Sequence, residues 1–372
     1  MNTMNNFKIV KPSGQKRVPV IVHVPHASPI IPEGLELDLM LTRHQLRVEL
    51  SAMTDRHTEK LAKPALAAGA TLFVNRFSRL VVDPERFEDD EREPAARHGL
   101  GAVYTRTHDG RPLRYPDFDD AQRRGLMDRF YHPYHQALTE LVGGMLDEFV
   151  HAFIIDLHSF PARPLPFEDP DLARPSVCLG FEDTHRPEDW TEWWEDQVLS
   201  RSKTLELAHN QPFAGSFVPG RFHRRDPRVK SMMVELKRGA YMDEQTGRLR
   251  PASDVAKLLN RFFHFVCEDV QDIVHPPAEG LSRRDARRVA RQHLRQESPQ
   301  DNPAVWKVMH PSDFKDQNLP TPYGVDPAAS LRSWIAYLST NHRRGVLSSS
   351  TIVMVDRLTG KVVYSGSAFD EG

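Results

Sequence analysis

Residues 151–160 read HAFIIDLHSF. Ala152 to Ile155 are apolar at consecutive positions, so neither face of an extended chain here suits water. A short run of this kind is a strand buried on both sides. It closes on Asp156, His158 and Ser159. Just before it, DAQRRGLMDRFYHPYHQALTELVGGMLDEF (120–149) carries helical spacing throughout, despite Pro133. A second stretch repeats the arrangement. PVIVHV (19–24) is β-branched, bounded by prolines, and followed by His26 and Ser28. A third, SMMVELK (231–237), carries Glu235 near its end. TLFVN (71–75), RLVVD (79–83) and PSVCLGF (175–181) also read as extended, while 39–68, 191–207 and 252–274 read as helix. Strands separated by helices predict an α/β sheet covered on both faces. Ligands of such sheets sit beyond the carboxyl ends of the strands. That rule brings His26, His158 and Glu235 to one edge.

Composition removes several function classes. The chain has 372 residues and a net charge of −2, so no global field favours nucleic acid or an anionic membrane. Basic runs such as RRDARRVARQHLRQ (283–296) are balanced by acidic segments elsewhere. Two distant cysteines, Cys178 and Cys267, make neither a disulfide framework nor a thiolate metal site. The N-terminal residues lack an apolar signal core, and no run approaches the roughly 20 apolar residues that span a bilayer. A cytoplasmic protein acting on a small molecule is expected. P-loop, GxGxxG, GxSxG, HExxH and CxxC motifs are all missing from the sequence. The 18 histidines remain as the conspicuous chemical resource.

Two histidines and one carboxylate around an open position make a catalytic zinc site. His26 and His158 supply the imidazoles, and Asp156, on the same strand face as His158, can hold its tautomer. The third ligand is open on residue type alone. Asp55 in MTDRHTEKLA stands at an expected helix start, where it serves equally well as an N-cap. His57, Glu59, Asp83 and Glu85 compete with it. Glu235, a carboxylate inside an apolar strand, either pairs with a cation or acts as the general base. Arg79 and Arg86 in NRFSRLVVDPER, and Arg221 in GRFHRR, carry the planar fork that suits carboxylates. Ser159 adjoins His158 as a further substrate contact. His135 in YHPYH either faces the site or fills a seam. His23 is spaced oddly from His26 and is assigned to packing on the other strand face.

Taken in order, VPHASPIIP, TDRHTEKL, NRFSRLVVDPER, YHPYHQAL, IIDLHSF, GRFHRRDPR and VELKRGAYMDE resemble the N-formylglutamate amidohydrolase family, colinearly over about residues 18–270. The resemblance implies a zinc-exopeptidase-like three-layer α/β/α fold around a central mixed, mostly parallel sheet. It implies hydrolysis of the amide of a small N-acylated amino acid, such as N-formylglutamate. It also puts the third zinc ligand at Asp55, the catalytic carboxylate at Glu235, and the substrate carboxylates near Arg79 and Arg86. Three segments depart from the family pattern. Asp83-Pro84-Glu85-Arg86 replaces Asp-Leu-Asn-Arg. FHRRDPRVKS is shorter and more basic than the family's glycine-rich stretch. The tail beyond about residue 300 is not covered. An amidase for another N-acyl amino acid or a peptide, and a binding protein on the same fold, therefore stand as alternatives.

The expected organisation is a catalytic domain over 1–275, a helical connector over 276–302 and a small α+β module over 303–372. In the module, SLRSWIAYLSTNHRRG (330–345) reads as helix, and two alternating strands flank DRLTG as a hairpin. Its role is open: a lid, a separate module, or the element of a homo-oligomer.

Overall fold

Strands form where branched apolar residues run together. The computed structural model describes residues 5–14, 17–201, 205–297, 304–314, 319–339 and 350–368. Its strands are β1 (Phe7–Val10), β2 (Val20–Val24), β3 (Thr71–Asn75), β4 (Ala152–Phe160), β5 (Val177–Gly180), β6 (Leu207–His209), β7 (Val229–Lys237), β8 (Ala304–Met309), β9 (Ser333–Ser339), β10 (Thr351–Asp356) and β11 (Val362–Ser367). Its helices are α1 (Arg43–Met53), α2 (Thr58–Ala62), α3 (Pro64–Ala68), α4 (Asp120–Leu126), α5 (His132–Phe149), α6 (Glu188–Arg201), α7 (Arg238–Tyr241), α8 (Asp254–Val274), α9 (Arg283–Glu297) and α10 (Pro327–Arg332). The chain divides into two compact units, 1–187 with 206–267, and 188–205 with 268–372.

The first unit holds a seven-stranded mixed sheet in the order β1-β3-β2-β4-β7-β5-β6. Its centre, β3-β2-β4-β7, is parallel. β1 runs antiparallel to β3, and β5 antiparallel to β7. From β2 the chain moves to β3 on one side, then returns to β4 on the other. The strand order therefore reverses between β2 and β4, and a crevice opens beyond their carboxyl ends. Every residue of β2, β3 and β4 is buried.

The helical pattern of 120–149 is realised with one widened, π-helical turn at Met127–Tyr131. Pro133 has no N–H to bond to the carbonyl four residues back, and its ring crowds that carbonyl; a wider turn relieves both. Tyr134, Leu138, Val142 and Met145 then form one buried stripe against Ile21, Phe73 and Ile154. Each such side chain contributes on the order of 2 kcal/mol by leaving water.

Other expectations are corrected. The helix expected over 39–68 is three pieces, α1 to α3. His57 adopts a left-handed backbone, φ 71°, which no α-helix accommodates, so the chain breaks between Met53 and Thr58. RLVVD is a turn, not a strand; Leu80, Val81 and Val82 are buried through loop packing rather than sheet pairing. The helix expected over 191–207 ends at Arg201 and is followed by β6.

In the second unit β8 to β11 form an antiparallel meander in the order β11-β10-β9-β8. The hairpin expected around DRLTG is β10 and β11. The segment SLRSWIAYLS is not one helix: α10 ends at Arg332, and the β-branched and aromatic residues that follow make β9; its remainder, 340–345, lies outside the described residues. Residues 283–297 of the expected connector are helix α9, whose Ala286, Ala290 and Leu294 pack on Val305, Ala336 and Val353 of the meander; 298–302 lie outside the described residues. Arg291 of α9 is paired with the buried Asp196 of α6, and Arg288 with Asp189 at 2.9 Å. All five tryptophans, Trp190, Trp193, Trp194, Trp306 and Trp334, belong to this unit. No helix among the described residues is long and apolar enough to cross a membrane.

Candidate active site

The site is built from two strand ends and one helix break. β2 stops at Val24, and Pro25 turns the chain so that His26 lies just past the sheet edge. β4 instead continues through His158, paired along its length with β7, and sets Glu235 directly beside His158 in register. Paired residues of a parallel sheet share a face, so both side chains project the same way. The third element is the break after α1. Asp55 donates its backbone N–H to the carbonyl of His26 at 2.9 Å, which ties the break to the end of β2. The Asp55 side chain does not cap α2, whose N-cap position, His57, makes no side-chain capping bond.

His26 Nδ1 and His158 Nδ1 face each other at 3.3 Å. Asp55 Oδ2 lies 3.7 Å from the first and 3.3 Å from the second. All three residues are buried. Both outer nitrogens are engaged by carboxylates. His26 Nε2 donates to Asp83 Oδ1 at 2.8 Å, and His158 Nε2 to Asp156 Oδ1 at 3.0 Å. With the protons on Nε2, both Nδ1 atoms are acceptors. Three acceptors then converge with no donor among them. This is the donor set and the electrostatic deficit that a divalent cation satisfies, and its two His–carboxylate supports match those of zinc sites.

The charges behind this cluster are mutually supported. When a proton sits on the facing imidazoles, hydrogen bonds to His158 and His26 outweigh the cost of burial and hold the Asp55 carboxyl far below its usual range. Asp83 is likewise held low: burial is outweighed by Arg79, His26 and Arg86. Arg79 clamps Asp83 Oδ2 through Nε and Nη2 at 3.0 and 2.7 Å, and the Tyr104 hydroxyl donates to the same oxygen at 2.6 Å. Arg238, on α7, donates to Asp55 Oδ1 at 3.2 Å and to the Ala52 carbonyl at 2.8 Å. That leaves Oδ2 of Asp55 turned to the histidines.

His23 is not mere packing. Its Nδ1 donates to Asp156 Oδ1 at 2.9 Å, and the Tyr134 hydroxyl donates to its Nε2 at 2.6 Å. Asp156 accepts from His23, His158 and the Phe217 N–H, so a fully buried chain runs from α5 to the metal-ligand candidate. Glu85 closes the network, with Oε2 2.9 Å from His158 Nε2 and Oε1 3.3 Å from His23 Nδ1. Asp83 and Glu85 therefore meet the outer nitrogens of His26 and His158, Glu85 also standing 3.9 Å from His26 Nδ1, whereas Asp55 Oδ2 reaches both inner nitrogens.

A cavity of about 320 Å³ opens over the cluster, lined by His26, Asp55 and His158 together with Glu235. Burial pushes the Glu235 carboxyl up to about 8, and its Oε2 is buried without a hydrogen-bond partner among the described residues. Arg79, Arg86, Ser159 and Arg238 line the same cavity. Three expected residues do not: Asp156 supports His158 without lining the cavity, and Arg221 and His135 lie apart from it. Arg221 is exposed, its guanidinium over the Phe222 ring at 5.5 Å. His135 packs its ring on Tyr131, centroids 4.0 Å apart, and burial lowers it to about 4; it fills a seam of α5 rather than facing the cavity. Arg238 was legible only as the residue after an apolar strand, and nothing in its type marks it out from nearby arginines.

Comparison with known proteins agrees with this architecture. A crystal structure of an N-formylglutamate amidohydrolase from Ralstonia eutropha superposes with a TM-score of 0.57 at 22% identity, over 73% of this chain and 99% of the other. The structure of an Agrobacterium tumefaciens gene product gives 0.52 at 18% identity, over 72% and 97%. Two proteins named N-formylglutamate deformylase, from Pseudomonas aeruginosa and Pseudomonas putida, are 25% and 24% identical over 62% of this chain and 84% of their own lengths. The family model described as N-formylglutamate amidohydrolase matches residues 18–242, the stretch that carries every residue of the cavity, and the chain belongs to that family.

Proposed function

We propose that the chain is a zinc-dependent amidohydrolase that removes the formyl group from N-formylglutamate or a close acidic N-acyl amino acid. The observation that carries this is the convergence of three acceptors in one cavity with a buried carboxyl, one of whose oxygens has no hydrogen-bond partner among the described residues. His26, Asp55 and His158 would hold the metal. When bound, zinc supplies Lewis acidity to the amide carbonyl and to water. Asp83 and Asp156 keep the two imidazoles oriented, with a proton held on each Nε2. Glu235, ionised once the charge of a bound metal offsets its burial, would take the proton of the attacking water and deliver it to the leaving nitrogen. The carbon–nitrogen bond breaks, the water oxygen stays on the acyl carbon as formate, and the free amine departs. Arg86 and Arg79, with Ser159, bind the substrate carboxylates and the developing oxyanion.

The test is formate release by the zinc-loaded protein from N-formylglutamate, with N-acetylglutamate and neutral N-formyl amino acids beside it. Activity should disappear on chelation and return with zinc. His26→Ala and His158→Ala should lose the metal. Stoichiometric zinc in both variants, or a fully loaded protein inert on every substrate of the panel, would overturn the reading.

A further inference from the structure

A second concavity, of about 640 Å³, flanks the same two chain segments but shares no lining residue with the catalytic cavity. Ala27 and Pro29 follow His26 into one wall, and Thr54, just before Asp55, belongs to another. Ala27, Pro29 and Leu50 give it apolar surface. Around them stand Arg47, Arg56, Lys60 and Lys63. Among the described residues none of these four cations has a carboxylate within salt-bridge reach; the one acid in the wall, Glu59, is already paired with Lys8. In a chain of net charge −2, four unneutralised cations around one hollow are a local feature that concentrates anions.

The Arg56 backbone is tied to the neighbouring loop, and its side chain packs on a glycine there. Its guanidinium lies over Gly247, where a Cβ would come within 2.4 Å of Nη1 and Nη2. Gly247 has φ +68°, so only glycine suits both the backbone and the approach. The Tyr241 hydroxyl donates to the Arg56 carbonyl at 2.7 Å, and His57 Nε2 bonds the Gly247 carbonyl at 2.8 Å. Packing on Gly247 sets where the fork stands, and its planar face and charge suit an oxyanion.

We propose that this groove is a binding site for a small organic molecule carrying at least two negative charges, separate from the catalytic cavity. Its volume falls in the range of small-molecule sites, roughly 300–1,000 Å³, and its apolar surface takes a carbon body while the cations take phosphoryl or carboxylate groups. Both sources of charge share this chemistry, and the experiment separates them. The intact zinc-loaded protein is titrated calorimetrically with fructose 1,6-bisphosphate and, separately, with a tri-glutamate peptide, each at low and high salt. At least one probe is expected to bind with one-to-one stoichiometry and to weaken as salt rises. Lys60→Glu/Lys63→Glu and Arg56→Ala are each expected to weaken it at least about tenfold, a cost of ~1.4 kcal/mol. Lys63→Ala, a mild change on the exposed surface, guards against loss of the fold and is expected to weaken it measurably. The preferred probe identifies the charge chemistry. Failure of both probes to bind at low salt, or unchanged affinity in all three variants, would overturn the site.

Discussion

Replacing Glu235 with Gln should make the metal-free protein more stable and the enzyme far slower. Burial raises the carboxyl from its ordinary 4.5 to about 8, so the folded state resists its ionisation. Below the unfolded value both states hold the proton and nothing is lost. Between about 4.5 and 8 the unfolded chain releases it while the folded chain keeps it, so stability falls as pH rises across that window. The whole gap is worth at most about 5 kcal/mol at ~1.36 kcal/mol per pH unit. Glutamine has no proton to lose and nearly the same shape. The variant should therefore match wild type within about 1 kcal/mol at pH 5 and exceed it by about 2–5 kcal/mol at pH 8. Hydrogen exchange of β4 and β7 amides, measured by mass spectrometry across that pH range, reads the difference directly. In the zinc-loaded protein the same substitution should keep the metal and reduce turnover by roughly 10²–10⁴. A stability difference that is flat from pH 5 to 8, or a variant that turns over normally, would refute the argument.

Three further outcomes follow from the contacts around the cavity. Asp83→Asn removes the charge that orients His26 and is expected to weaken zinc binding about 10- to 100-fold, measured by competition with a chelator. Arg86→Ala should raise KM about 10- to 100-fold through loss of a charge-assisted hydrogen bond of ~1.5–3 kcal/mol, while Arg221→Ala, exposed and outside the cavity, should leave kinetics within about twofold. Tyr134→Phe deprives the buried His23 of the hydroxyl that donates to its Nε2 and should cost about 1–3 kcal/mol, seen as faster exchange of β2 and β4 amides.

The parallel core was readable because runs buried on both faces carry an unmistakable pattern, and the strand-end rule then grouped His26, His158 and Glu235 without any contact information. The break that presents Asp55 was not readable. It depends on a left-handed His57, and histidine carries no strong signal for that conformation. RLVVD failed for a related reason: apolar β-branched residues are buried whether a sheet or a loop does the covering. His23 misled because strand alternation says which face a residue takes but not that the opposite face holds Asp156 and Tyr134 from distant segments. Arg238 and Tyr104 likewise act through partners 183 and 21 positions away, a separation no local pattern encodes.

The confinement of all five tryptophans to the second unit makes the chain's ultraviolet emission one-sided. The unit that holds the cleft is silent at the red edge of tryptophan absorption. Trp190 and Trp194 are 1% and 0% exposed, so their quantum yield and colour report whether the packing of α6 is intact. A ligand that fills the catalytic cavity without altering this emission has still bound. One that alters it has sent its influence into a part of the chain that carries none of the reacting groups.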